Sequence, residues 1–261
     1  ESCLWNADEM KAWTGGYGAM AVSGTGSKLM APESFFYSQA TADTLLADPK
    51  AAANISIIGG HLYGGVPSYA GSAEKLGKEV WMTEHFLDSV NKSASTSSWQ
   101  TSIDDAIAMA EEIHDGLTLA QYNAYVYWWL VNSDDAKPAG LISTANKPTY
   151  FGIGMKHFSY FVRPGYMRYD ATSLPQKGIR VSAFGSPAGA ADGKVVLVLI
   201  NDNAVDVPVT ASINAAGRTL TSLTPYRATA GATFERESAI AVSANAFSIS
   251  LPSRSITTLV N

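Results

Sequence analysis

Lys78-Glu79-Val80-Trp81-Met82-Thr83-Glu84-His85-Phe86 contains a strand-like run, Val80 to Thr83, that ends on a carboxylate and is followed at once by a histidine and an aromatic. Parallel strands of α/β folds end in this way where the sheet or barrel presents a catalytic group at its carboxyl edge. A glutamate at such an end suits glycoside cleavage, because a negative charge beneath the anomeric carbon stabilises an oxocarbenium-like transition state. The competing reading is that Glu84 begins a polar loop.

Outward from this stretch the same grammar repeats. Asn6 to Trp13 reads as a helix start, with Asn6 as N-cap and Glu9 completing a capping box, and the glycines at 15, 16 and 18 are expected to loosen its far end. Lys28 to Ser34 reads as a short buried strand stopped by Pro32, followed by a helix over 40–48. Asn54 to Ile58 is a β-branched strand that runs into Gly59-Gly60-His61-Leu62-Tyr63-Gly64. A short helix near 72–76 leads to the Glu84 strand. Ile103, Ala106, Ile107, Ala110 and Ile113 then recur at helical spacing. Tyr122 to Trp129 reads as a strand ending in two tryptophans, and a helix over 150–161 closes this half. Strand and helix thus alternate four times, the pattern of a parallel α/β unit and of half an eightfold barrel. Beyond Pro164 the runs 178–184, 194–201, 205–214, 220–227 and 247–251 read as short strands split by Gly, Asn, Asp and Pro, which suggests an antiparallel β-sandwich. The expected domains are therefore 1–163 and 164–261.

Composition narrows the function. Apolar residues make up 46% and charged residues 16% of the 261, with six Trp and twelve Tyr, and the net charge of −5 carries no electrostatic footprint for nucleic acid or an anionic membrane. No apolar run is long enough to span a bilayer. The single cysteine, Cys3, excludes an internal disulfide and a cysteine-based metal site. A lightly charged, aromatic chain matches a carbohydrate ligand, since sugars stack on flat rings.

His61 and Tyr63 share one face of a strand end, with Leu62 turned the other way, so the Tyr63 hydroxyl is placed to hold a neighbouring carboxylate. Two satisfied core polar groups would look the same. His61, His85 and Glu84 could together suggest a metal, yet no HExxH spacing occurs and no metal or other cofactor is expected. Of the adjacent Trp128 and Trp129 one at most faces a cleft, and Trp129 is the candidate subsite floor. No Gly-x-Ser-x-Gly elbow supports a serine nucleophile. The glycines near 15–18 lack the strand and the Lys-Ser/Thr of a phosphate loop. Asn54-Ile55-Ser56 and Asn91-Lys92-Ser93 match the glycosylation acceptor pattern.

Several segments, in order along the whole chain, resemble the glucuronoxylan xylanases of glycoside hydrolase family 30: Glu1 to Trp5, Ser56 to Gly64, Trp81 to His85, Asn123 to Trp129, Phe161 to Arg168 and Ser255 to Thr258. The resemblance implies a (β/α)8 TIM barrel with a side β-sandwich, of which this chain carries the C-terminal half of the barrel (strands five to eight) and the side domain. It also implies a retaining mechanism with two glutamates, in which Glu84 is the nucleophile and Tyr63 hydrogen-bonds it. Trp129 is similar to the family's subsite tryptophan. Trp5, His61, Phe86 and Ser89 complete the candidate substrate-binding set. Two departures matter. The family's acid/base lies in an Asn-Glu-Pro motif upstream of the segment matching Glu1-Ser2-Cys3, so the proton donor and the first four barrel strands are expected on sequence not contained here. The glucuronate-reading arginines are replaced by Asn132-Ser133-Asp134-Asp135, which would repel a carboxylate, and the tyrosine after Glu-His is Phe86. Ser89 still matches.

The expected protein is a secreted, extracellular retaining β-1,4-xylan hydrolase that does not depend on methylglucuronate branches. Its partners are xylan or xylo-oligosaccharides and the N-terminal half of the same enzyme, with no nucleic acid and no membrane. The alternatives are another retaining β-glycosidase of the same family acting on β-glucan or a glucoside, and a non-catalytic carbohydrate-binding fragment.

Overall fold

The computed structural model describes residues 3–90, 101–132, 139–214 and 218–261. The chain forms two compact units, Glu1–Phe86 with Asp115–Trp128, and Leu87–His114 with Trp129–Asn261. The boundary expected at Pro164 lies inside the second unit.

The first unit is built on four parallel strands in the order β1-β2-β3-β4, with β1 Leu29–Ser34, β2 Ile55–His61, β3 Glu79–Glu84 and β4 Ala124–Tyr125. Helix α1 is Ala7–Val22, α2 Gln39–Leu46, α3 Pro49–Asn54, α4 Gly71–Lys75, and α5, Ile103–Thr118, lies between β3 and β4 in sequence. The helix starts follow from their caps. Asn6 Oδ1 accepts from Glu9 N–H and Glu9 Oε2 from Asn6 N–H, each at 2.9 Å, which is the expected capping box. Asp48 Oδ1 accepts from the N–H groups of Lys50 and Ala51, and Pro49 occupies the first helical position where its missing N–H costs nothing.

Three expectations are corrected. Helix α1 does not loosen at its glycines but continues to Val22, because Gly18 is a contact point: a β-carbon there would lie 2.8 Å from Leu29 Cδ2 and 3.2 Å from Asn54 Cβ. Strand β1 does not stop at Pro32 but bulges after it and ends at Ser34. The run 122–129 holds only two strand residues, although the N–H groups of Asn123, Val126 and Trp128 still donate to the carbonyls of Val80, Met82 and His85. Leu45, Ile55, Ile58, Leu62, Val80 and Met82 pack with Tyr37 and Tyr122 as the core on the helix-covered face.

The second unit contains α6, Tyr150–Ser159, and an antiparallel seven-stranded sheet. Its strands are β5 Met167–Tyr169, β6 Ile179–Gly185, β7 Val195–Asn201, β9 Ser222–Thr229, β10 Ala232–Arg236, β11 Ile240–Ala241 and β13 Ser255–Val260. The order is β10-β9-β13-β7-β6-β5, with β11 also on β9, and β8 Val207–Ser212 pairs separately with β12 Ala246–Leu251. Leu197, Leu199, Leu223 and Leu259 from the large sheet share one apolar cluster with Val207, Phe247 and Leu251 of the small one. Strand β13 shows no polar alternation to a reader of the sequence because all six of its residues are buried, between β7 and β9.

Two buried histidines stitch helices to this sheet: His114 Nδ1 lies 2.8 Å from Ser182 Oγ, and His157 Nδ1 lies 2.9 Å from Thr258 Oγ1. Burial, reinforced by Arg180, depresses His114 to about 4, and burial with Lys156 depresses His157 to about 3. Both rings are therefore neutral in the folded state where unfolded histidine, at about 6.5, takes up a proton. Stability is fully present above pH about 6.5 and falls as the pH drops toward these depressed values. Urea titrations at pH 7.5 and 5.5 should show a loss on the order of 2 kcal/mol at the lower pH. A flat profile across that window would mean that the rings are not held neutral.

Candidate functional site

Strict alternation would send both acidic residues of this region the wrong way. In β3, Val80 and Met82 belong to the core, so Glu84 shares their parity; in β1, Leu29 and Ala31 pack on the same core, and Glu33 shares theirs. Each carboxylate is turned to the opposite face by a register shift. Met82 pairs with Gly60 but Glu84 with His61, leaving Thr83 as the extra residue. Pro32 pairs with Gly59 but Ser34 with Gly60, leaving Glu33 extra, with φ of 58°. An inserted residue re-aims a side chain in this way, and a left-handed non-glycine residue carries a strain of about 1–3 kcal/mol that is characteristic of functional sites.

The result is a cluster at the carboxyl ends of β1, β2 and β3. Tyr63 OH donates to Glu84 Oε1 at 3.0 Å. His61 lies between two carboxylates, with Nδ1 3.7 Å from Glu84 Oε1 and Nε2 3.5 Å from Glu33 Oε2. Thr83 Oγ1 is 2.9 Å from both oxygens of Glu33. The side chains of Glu84, His61 and Glu33 are 30%, 20% and 39% exposed, so all three are reachable from solvent. Burial first, and then the hydrogen bond to Glu84, push the Tyr63 phenol well above its ordinary value, so it remains a donor at any working pH.

Aromatic rings wall the cluster. Phe35 stacks on Tyr63 at 4.8 Å, and His85 and Phe86 meet the same ring edge-on at 5.3 and 5.8 Å. Phe35 and Phe36 are exposed beside it. Rings that stay exposed next to carboxylates fit a ligand with flat apolar faces and hydroxyl edges. Among the described residues no group of three His, Cys, Asp or Glu side chains is arranged to hold a metal ion.

Of the residues expected from sequence, Glu84, His61, Tyr63 and Phe86 thus come together. Trp5 meets Trp13 edge-on at 6.3 Å. Ser89 and Trp129 belong to the second unit: Ser89 is buried and lies 3.2 Å from Asp105 Oδ2, and Trp129 is exposed, its carbonyl accepting from Leu141 N–H. Positions 133–135 of the run that replaces the arginine motif, and the acceptor pattern at 91–93, lie outside the described residues. Sequence reasoning missed Glu33, Phe35 and Phe36, although two consecutive phenylalanines beside a carboxylate just past a strand proline were a usable signal.

No family model matches the sequence. The chain is 35% identical over 240 residues to a glucuronoxylanase XynC of Bacillus subtilis, covering 90% of this chain and 52% of that protein. It therefore spans about half the length of the curated relatives it matches. Among solved structures it superposes on the glycoside hydrolase family 30 subfamily 8 xylanase Xyn30A of Clostridium acetobutylicum with a TM-score of 0.85 and 33% identity, covering 100% of this chain and 62% of that one. A family 30 endoxylanase of Clostridium papyrosolvens C71 follows at a TM-score of 0.83 and 27% identity, with 100% and 62% covered. The chain shares the α/β glycosidase fold of these two solved structures.

The cluster depends on two glycines in β2. A β-carbon on Gly59 would lie 1.9 Å from Glu33 Oε1, and one on Gly60 would lie 2.7 Å from Cδ2 of the buried Tyr37 ring. Gly60→Ala should lower the unfolding free energy by about 1–3 kcal/mol, read by urea titration. Adding Tyr37→Leu should return part of that loss, and strictly additive losses would show that the ring is not what the methyl group meets.

Proposed function

We propose, from the premise that this chain belongs to glycoside hydrolase family 30, that it carries the nucleophile half of a retaining β-1,4-xylan hydrolase. The observation that carries the reading is the Glu84 carboxylate at the end of a parallel strand, oriented by Tyr63 and walled by Phe35 and Phe86. Glu84 attacks the anomeric carbon, forming an ester bond as the glycosidic C–O bond breaks and the leaving oxygen takes a proton from a second carboxyl group. Water then attacks the same carbon, gives its proton to that group, and releases Glu84. Retention requires the two carboxyl groups to stand about 5–5.5 Å apart. The proton donor is proposed to come from a segment outside these 261 residues, a reading supported by relatives about twice as long. In this reading the four-stranded parallel sheet, ending at β1 and β4, is half of a (β/α)8 barrel, and the antiparallel strands are its side β-sandwich. Secretion is proposed with it, since polymeric xylan lies outside cells.

The polymer need not be acidic. Asn132-Ser133-Asp134-Asp135 stands where the glucuronoxylan xylanases carry paired arginines, and two aspartates disfavour a glucuronate carboxylate.

In the complete enzyme, Glu84→Gln should cut xylan hydrolysis by at least about a thousandfold. A 2-fluoro-xylobiosyl donor should add its mass to the peptide containing Glu84, and label on another residue would reassign the nucleophile. Rates on glucuronoxylan and on arabinose-decorated xylan should be comparable; a strong preference for the acidic polymer would overturn branch independence.

A further inference from the structure

We propose that Glu33 is a positioning residue for Glu84, acting through the imidazole of His61, a role that presupposes Glu84 as the nucleophile. His61 has a carboxylate opposite each ring nitrogen, at 3.5 Å on the Glu33 side and 3.7 Å on the Glu84 side. Its Nδ1 is buried and has no hydrogen bond, so the Glu84 oxygen is the polar group that Nδ1 faces. The two carboxylates face opposite nitrogens of the same ring, so the orientation of the imidazole beside Glu84 is set from the Glu33 side as well. Loss of Glu33 would remove the carboxylate that faces Nε2 and release that side of the ring.

The fold goes to some length to put Glu33 there. The residue sits in a bulge with φ of 58°, and its carboxylate occupies the space that a β-carbon on Gly59 would fill. Its anchor, Thr83, is the extra residue of the second bulge and the immediate neighbour of Glu84. One hydroxyl therefore ties the position of Glu33 to the backbone kink that aims the nucleophile. A carboxylate that only decorated the surface would require neither the left-handed backbone nor the glycine opposite it. Both Glu33 oxygens are engaged, by Thr83 and His61, which separates Glu33 from a proton donor waiting for a leaving group.

The test is a double-mutant cycle in the complete enzyme acting on xylan. Glu33→Gln should lower kcat about tenfold with KM within about twofold, because the effect is on the reacting geometry and not on substrate binding. The rate of Glu84 labelling by the 2-fluoro donor should fall by the same factor. In a His61→Asn background, Glu33→Gln should cost nothing further, since its route to Glu84 is already cut. If Glu33→Gln fails to fold, Thr83→Val leaves the charge in place but unanchored and should lower kcat about threefold. Wild-type kcat in Glu33→Gln, or losses that add across the cycle, would overturn the proposal. So would a loss of about a thousandfold that disappears with an activated aryl xyloside, because Glu33 would then be the proton donor. Failure of the unmodified enzyme to label at Glu84 would bring down the nucleophile reading itself, a result separable from all of these.

Discussion

Two absent β-carbons in one strand set the geometry on which the site depends. Gly59 leaves room on one face of β2 for the Glu33 carboxylate and the Met30 sulfur, and Gly60 leaves room on the other for the Tyr37 ring. The strand is thereby thin where its neighbours are thick. On the core side, Tyr37 closes against Tyr122 at 5.2 Å and seals the apolar layer beneath the sheet. On the other side, a carboxylate is seated beside His61 without a clash. Glycine weakens a strand by roughly 0.5–1 kcal/mol relative to alanine, and here that cost is offset by close packing on both faces.

The bulges complete what the glycines permit. A regular parallel sheet with β1 and β3 in perfect register would bury Glu33 and Glu84 against Leu45 and Ile58, where an unpaired charge costs several kcal/mol. One extra residue in each flanking strand moves both acids to the polar face and leaves the apolar alternation upstream intact. The nucleophile candidate and its neighbour are thus products of irregularity, each displaced from the repeating pattern that built the strand carrying it.

That irregularity explains what the sequence could and could not say. The alternation of strands and helices was legible because Ile55 to Ile58 is β-branched apart from one small serine, because Val80 to Met82 has no polar residue, and because Asn6 with Glu9 marks a helix start without ambiguity. His61, Tyr63 and Glu84 could be picked out as strand-end polar groups. Which face they occupied could not be read, since a bulge leaves no residue-type signature at Thr83. Glu33 was hidden for a similar reason: Pro32 before it suggested a terminated strand, whereas the chain continues through a left-handed residue to Ser34. Gly18 was misread as a weak point because glycine's loose backbone and its small size predict opposite things, and tertiary contact with Leu29 decided for size. Strand β13 escaped notice because burial on both faces erases the two-residue alternation.

The position of β13 also bears on how the second unit comes into being. The strand that is last in sequence fills the middle of the sheet, with β9, β10 and β11 on one side and β7, β6 and β5 on the other. Until residues 255–260 arrive, those two groups are separate ribbons, each with an open edge facing the gap and neither hydrogen-bonded to the other. Closure requires pairing across 54 to 64 residues on the β7 side, from Ser255 with Asn201 to Val260 with Val196, so the search is slow by comparison with local hairpins. During synthesis the nascent ribbons are open to pairing with other chains, and a truncation that removes this one segment would split the sheet where shortening an edge strand would merely fray it.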